Sequence, residues 1–225
     1  MKTNRKYFIV SAIFFIIFII FTLMVRNIDV AAVGPQESEV GFATLNKAVS
    51  DNLPYNDLMY NLSEILGYVA ILTVGIFGLF GIMQLFIKKG FGKVDKDLYV
   101  LCGLYACALA TYIVFEKMII NYRPVMLEGE LEASYPSSHT MLAVTFMLAA
   151  IQQFSMRLKP EKTRMIVMAA CALVGVGVIV TRIISGVHWI TDIFGSVFIS
   201  LAWFMLYLGV INTIYPDKKL FRFKE

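Results

Sequence analysis

The 225 residues carry a net charge of +4, are 59% hydrophobic and only 16% charged, and have a mean hydropathy of +0.73. A soluble domain carries about a quarter charged residues, so this composition excludes an ordinary water-facing fold and points to a bilayer. Nucleic-acid binding is excluded too, because the positive charges form no basic, aromatic-interleaved soluble patch.

Six stretches lack any Asp, Glu, Lys or Arg: 7–25, 65–87, 98–115, 140–156, 165–181 and 193–216. Each approaches the ~20 residues a spanning helix needs. Backbone groups in hydrocarbon must be satisfied within their own segment, so the sequence predicts an all-α bundle of six transmembrane helices, one membrane-embedded domain over 1–225. The first run follows a basic start and precedes the small residues Ala31 and Ala32, as a secretory leader would. Its uncharged run is longer than the ~7–15 apolar residues of a leader, and a retained anchor is expected.

The connection 26–64 opens with a Gly34-Pro35 turn signal. Phe42, Leu45, Val49 and Leu53 then recur at near-helical spacing until Pro54. This predicts a short amphipathic helix on the outer surface, either capping the bundle or admitting lipid. Asn61-Leu62-Ser63 fits a glycosylation acceptor by chance, since it abuts the second span. Cys102, Cys107 and Cys171 fall inside predicted spans and are expected to be core residues, with neither a disulfide framework nor zinc-ligand spacing. Ala169, Ala170, Ala172, Gly175 and Gly177 would let the fifth span approach its neighbours. Gln84, Gln152 and Gln153 sit near the cytoplasmic ends of their spans, satisfied by water or a neighbouring helix.

Cytoplasmic loops retain Lys and Arg. With the N-terminus inside, fifteen of the twenty basic residues face the cytoplasm: Lys2, Arg5, Lys6, Lys88, Lys89, Lys93, Lys96, Arg157, Lys159, Lys162, Arg164, Lys218, Lys219, Arg222 and Lys224. Both termini are then cytoplasmic. Of the five exceptions, Arg26, Lys47, Lys117, Arg123 and Arg182, the last three lie in or beside motifs containing the chain's two histidines. Those motifs are Pro136-Ser137-Ser138-His139 and the segment from Thr181 to Asp192. The same span parity places Lys117, Arg123, Ser137, His139, Arg182, His188 and Asp192 on one outer face, although they come from three separate segments.

His188 and Asp192 are four apart and would share a helix face if the sixth span begins around Val187. A carboxylate holding one imidazole nitrogen leaves the other unprotonated, as a nucleophile requires. Pro136 breaks the chain into a turn that starts the next helix, so N–H groups near Ser138 and His139 point at an incoming anion. Ser137 can add a hydroxyl donor and His139 a proton for a leaving oxygen. Arg123 and Arg182 can grip phosphate oxygens through paired donors.

These residues resemble the type 2 phosphatidic acid phosphatases, or lipid phosphate phosphatases, whose motifs are Lys-x6-Arg-Pro, Pro-Ser-Gly-His and Ser-Arg-x5-His-x3-Asp. Arg182, His188 and Asp192 match the third motif, with Thr181 for its Ser. Pro136, Ser137 and His139 match the second, with Ser138 for its Gly. The first departs: Lys117 precedes Arg123 by five residues, and Glu116 holds the family spacing. Six positions along a helix leave two side chains about 120° apart, so Lys117 needs its long stem, or a distortion before Pro124, to reach phosphate.

The resemblance implies that His188 attacks phosphorus to form a phosphohistidine, oriented by Asp192, while His139 protonates the leaving oxygen. Arg123, Arg182, Ser137, Ser138, local N–H groups and Lys117 would stabilise the phosphoryl oxygens. No cofactor is expected, and no metal-ligand cluster is evident in the sequence, so metal-independent hydrolysis is expected. On the outer face eleven acidic residues oppose five basic ones, and Glu128, Glu130 and Glu132 lie in the loop before the second motif. A headgroup arriving through the lipid layer therefore suits the site better than a soluble anion: phosphatidic acid, phosphatidylglycerol phosphate or a polyprenyl diphosphate. The alternative is a non-catalytic lipid or phosphate transporter, which has no need of two histidines.

Overall fold

The computed structural model describes residues 2–127 and 129–216, with side chains from Arg5. The side chain of Lys2, and Glu128, Lys218, Lys219, Arg222 and Lys224 with the orientation read from them, lie outside the described residues. Among the described residues, seven α-helices follow in order: α1 Lys2–Asn27, α2 Ala43–Asn52, α3 Asp57–Lys88, α4 Lys96–Lys117, α5 Ser138–Arg157, α6 Glu161–Ile184 and α7 Ile190–Ile214. The two-residue strands β1 Ala31–Ala32 and β2 Glu39–Val40 pair antiparallel around the Gly34-Pro35 turn.

Local chemistry sets the helix ends. Asn56 caps α3 by accepting the Met59 N–H at 3.0 Å, and Asp57 and Lys88 stand at the ends the helix dipole favours. The helix runs eight residues upstream of the uncharged stretch that begins at Ile65, because Asp57 and Glu64 sit inside it.

Among the described residues, five helices are long and apolar enough to cross a membrane: Arg5–Asn27, Asp57–Lys88, Lys96–Lys117, Glu161–Ile184 and Ile190–Ile214. The remaining long helix, α5, covers the expected fourth span but is less apolar. It packs against α3, α4, α6 and α7, and such an enclosed helix can bury Thr145, Gln152, Gln153 and Ser155. The lipid-facing positions belong to the outer helices, where Ile16, Ile71, Leu72, Phe86 and Leu173 are exposed. This is a multi-pass membrane protein.

Phe18 and Val25 of α1, Tyr135, Met141 of α5, and Ile199 and Ala202 of α7 form one buried cluster. The Tyr135 hydroxyl hydrogen-bonds Thr22 at 2.8 Å. Its ring lies so close to α7 that a Cβ on Gly195 would come within 2.6 Å. The other cluster joins Phe77, Leu98, Met147, Cys171 and Tyr207.

Three expectations change in detail. The helix in 26–64 exists, but it buries Ala43 and Asn46 and exposes Leu45. Asn46 decides this face: its amide bonds the Gly41 carbonyl at 2.7 Å and Thr191 Oγ1 at 3.0 Å, fastening α2 to the start of α7. Of the cysteines only Cys171 is buried, while Cys102 is exposed and Cys107 half-buried. In α6, Gly175 meets Met147 and Gly177 meets Leu66, whereas Ala169, Ala170 and Ala172 are exposed.

Candidate active site

The starts of α3, α5 and α7 and the ends of α4 and α6 meet at one end of the bundle. At the end of α6, Gly186 adopts φ +66°, and a side chain there would collide with the Leu53 carbonyl 2.7 Å away. This turn lets Val187, His188 and Trp189 enter the interior before α7 begins. The Trp189 indole N–H donates to the Tyr122 carbonyl at 2.7 Å, tying the turn to the α4–α5 loop. That loop is itself closed by the Tyr122–Ala133 bridge and by Ser134 N–H to the Asn121 carbonyl at 2.9 Å.

His188 is 7% exposed and Asp192 fully buried. Asp192 is the third residue of α7, and its Oδ2 accepts the Trp189 backbone N–H at 3.0 Å. The same oxygen lies 3.4 Å from Nδ1 of His188, a charge-pair separation without a closed hydrogen bond. The carboxylate therefore fixes the first turn of α7 as well as facing the imidazole, and the Ser134 and Asn121 side chains stand beside it. Burial, reinforced by the Arg123 and Arg182 guanidiniums and by His139, holds His188 well below the usual histidine range, against an opposing hydrogen bond with the Ser134 backbone. The ring is neutral at pH 7.

Ser137 is fully buried and is the N-cap of α5, its Oγ 3.4 Å from the Thr140 N–H and 3.1 Å from Thr140 Oγ1. Its carbonyl accepts Ser196 Oγ at 2.9 Å. The hydroxyl expected to donate to phosphate is thus committed to the helix. Ser138 and His139, both half-buried, occupy the first two helical positions, whose N–H groups have no acceptor within the helix. Nε2 of His139 meets the Ser63 carbonyl at 2.9 Å.

Arg182, 3% exposed, donates from Nη2 to Glu64 Oε1 at 2.5 Å and lies over the Tyr60 ring at 5.2 Å. Its Nε and Nη1 have no hydrogen-bond partner among the described residues. Arg123 pairs with Glu132, Nε to Oε2 3.0 Å. Glu130 is exposed. His188 feels the charges of Arg123, Arg182 and His139 together, so the structure gathers these four groups from three segments. Lys117 stands apart, exposed in the last turn of α4 with no ion pair to another described residue. Because α4 stops there, helical phase does not govern its relation to Arg123: the chain between them is non-helical. Among the described residues no three His, Cys, Asp or Glu side chains cluster as metal ligands.

Glu64 has no counterpart in the motifs. Its signal is the spacing of Tyr60, Ser63, Glu64 and Gly67, one stripe of α3, which a charge beside an apolar run disguises as a span boundary.

An apolar helical bundle with two histidines, two guanidiniums and a buried carboxylate at one end is, by class, a membrane protein with an anion-binding end. The chain belongs to the PAP2 superfamily, whose sequence pattern matches residues 69–215. Its fold is similar to the crystal structure of the first transmembrane PAP2 type phosphatidylglycerolphosphate phosphatase from Bacillus subtilis, with TM-score 0.67 and 19% identity over 93% of this chain and 99% of that one. No curated protein sequence matches.

Proposed function

We propose that this chain, as one membrane-embedded domain with six spans, hydrolyses lipid phosphate monoesters or diphosphates at the outer face through a phosphohistidine. The observation that carries the reading is the buried His188, 3.4 Å from the Asp192 carboxylate, with Arg123, Arg182 and His139 as the charges acting on it. His188 attacks phosphorus, forming a P–N bond as the bond to the lipid oxygen breaks. His139 gives that oxygen its proton. Water then attacks the phosphohistidine, His139 takes a proton back, and inorganic phosphate leaves. Arg123, Arg182 and the N–H groups of Ser138 and His139 stabilise the equatorial oxygens. Ser137 contributes through the helix it caps, and Lys117 reaches in from the rim. Asp192 holds the turn that presents His188.

Sidedness follows from charge. Arg5, Lys6, Lys88, Lys89, Lys93, Lys96, Arg157, Lys159, Lys162 and Arg164 fall at the opposite end of the helices from His188, which favours that end as cytoplasmic. Because guanidiniums and imidazoles supply the charge stabilisation and proton transfer, the reaction needs no metal, and activity should survive excess chelator. The substrate is a headgroup presented by the bilayer.

The deciding experiment measures phosphate release in detergent from phosphatidylglycerol phosphate, phosphatidic acid and a polyprenyl diphosphate, with His188→Ala as control. Release from at least one lipid that vanishes in the variant is expected. Transport in sealed vesicles without any release would establish the transporter reading instead.

A further inference from the structure

Ser63, Glu64 and Gly67 of α3 press directly on His139. A carbonyl only accepts, so Nε2 of His139 carries the proton shared with Ser63, and Nδ1 is the ring nitrogen facing Oε1 of Glu64, 3.6 Å away. That same oxygen takes the Arg182 Nη2 hydrogen bond at 2.5 Å. One carboxylate oxygen thus bridges the guanidinium and the imidazole that the phosphatase reading assigns to a phosphoryl group and its leaving oxygen. The bridge is held in place from several sides. A Cβ on Gly67 would lie 2.2 Å from His139 Nε2, the Asn56 N–H bonds the Ser185 carbonyl at 3.0 Å, and Leu66 meets Gly177 of α6. The Glu64 side chain nevertheless remains 27% exposed, so it has a route into water.

We infer that Glu64 is an internal stand-in for substrate phosphate, bridging Arg182 and His139 in the resting site and giving way when a phosphate group binds Arg182. Glutamate uses one donor of this guanidinium and leaves Nε and Nη1 without partners among the described residues. A phosphate group carries about −1.5 to −2 charge and three acceptor oxygens, so it can engage those remaining donors and compete successfully. The exchange breaks no covalent bond. Once Glu64 has swung aside, Nδ1 of His139 faces the leaving oxygen. With Nε2–H kept on the Ser63 carbonyl, the proton given up is the second one, carried on Nδ1 of the imidazolium and regained when water attacks. The return of Glu64 after turnover helps expel inorganic phosphate. Glu64 is in this account a positioning residue, and the account rests on the phosphatase reading.

The test is calorimetric titration of the full-length protein in detergent with inorganic phosphate. Removing the internal competitor in Glu64→Gln should tighten phosphate binding about tenfold, and in turnover should lower KM and the inhibition constant of phosphate without raising kcat. Glu64→Asp keeps the charge on a shorter arm and should fall between the two, carrying the test if the Gln variant does not fold. Unchanged affinity would overturn the inference. Weakened affinity would also overturn it, because it would make Glu64 merely the group that holds Arg182 in place. No lipid is consumed in the titration, so an absence of lipid hydrolysis would defeat the phosphatase reading separately.

Discussion

The two ends of this bundle use the same residue types to opposite effect. Away from the histidines, Asp95 accepts from Lys88 at 2.8 Å and from Gln84 at 2.7 Å, and Asp97 accepts from Arg157 at 2.5 Å and from Tyr215 at 3.2 Å. Gln153 donates to the Tyr207 hydroxyl at 2.6 Å and also receives Arg157. In this network Nε of Arg157 is left over, and among the described residues at this end the buried Gln152 amide also lacks a hydrogen-bond partner. At the histidine end, Nε and Nη1 of Arg182 are buried without a hydrogen-bond partner among the described residues, and the His188–Asp192 pair stays open at 3.4 Å. Each such group costs roughly 1–3 kcal/mol. A network that closes on itself stabilises a fold, whereas one held open at a stability cost is suited to a ligand that completes it.

The sharpest way to break this contrast is His188→Ala, which should remove the covalent route and bring phosphate release down to background. A purified variant retaining wild-type turnover would show that the nucleophile lies elsewhere. His139→Ala should cost roughly 10² to 10⁴ in rate on a lipid substrate. The loss should shrink with a nitrophenyl phosphate, whose leaving oxygen needs no proton. An equal loss on both substrates would argue against His139 as the proton donor. At the other end, Arg157→Ala should lower stability by roughly 1–3 kcal/mol, between the exposed and buried limits for a broken ion pair, since Arg157 is 19% exposed and Asp97 4%. Thermal unfolding in detergent checks this, and the folded fraction should keep its turnover. A catalytic defect without destabilisation would erase the distinction between the ends.

How far the sequence carried the reading depended on what each residue answers to. The long helices were legible because hydrocarbon leaves the backbone few choices. The placement of Arg182, His188 and Asp192 was legible because their spacing is local, running from the last turn of α6 through the connecting turn to the first turn of α7. What escaped depends on contacts distant in sequence. Glu64 and Arg182 are 118 positions apart, and nothing along either segment announces that they touch. Asn46 turned α2 over because a buried amide must find partners, here at Thr191, 145 residues away, and that requirement outweighed the modest apolar stripe of Leu45 and Val49. Ser137 was expected to face an anion, but an N-cap hydroxyl is claimed by its own helix. α5 could be less apolar than its neighbours because protein rather than lipid surrounds it.

The smallest effect expected tests the open end through protons. His188 sits outside the spanning helices, and burial with Arg123, Arg182 and His139 around it holds its pKa below the unfolded value of about 6.5, while Asp192 faces it from the other side. Above that pH both the folded and unfolded chains carry a neutral ring, and His188 adds no pH dependence. As pH falls below it, the unfolded chain binds a proton that the native site refuses, so stability is lost until the folded pKa is passed. Thermal unfolding of wild type and His188→Gln from about pH 8 down to about pH 5 should therefore diverge on the acid side, with the variant losing less. The same depression should carry the His188 acid limb of kcat/KM below about pH 6.5. Parallel unfolding curves would mean that the native ring titrates like a solvated histidine, and the histidine end would then be no more poised for a ligand than the closed network opposite.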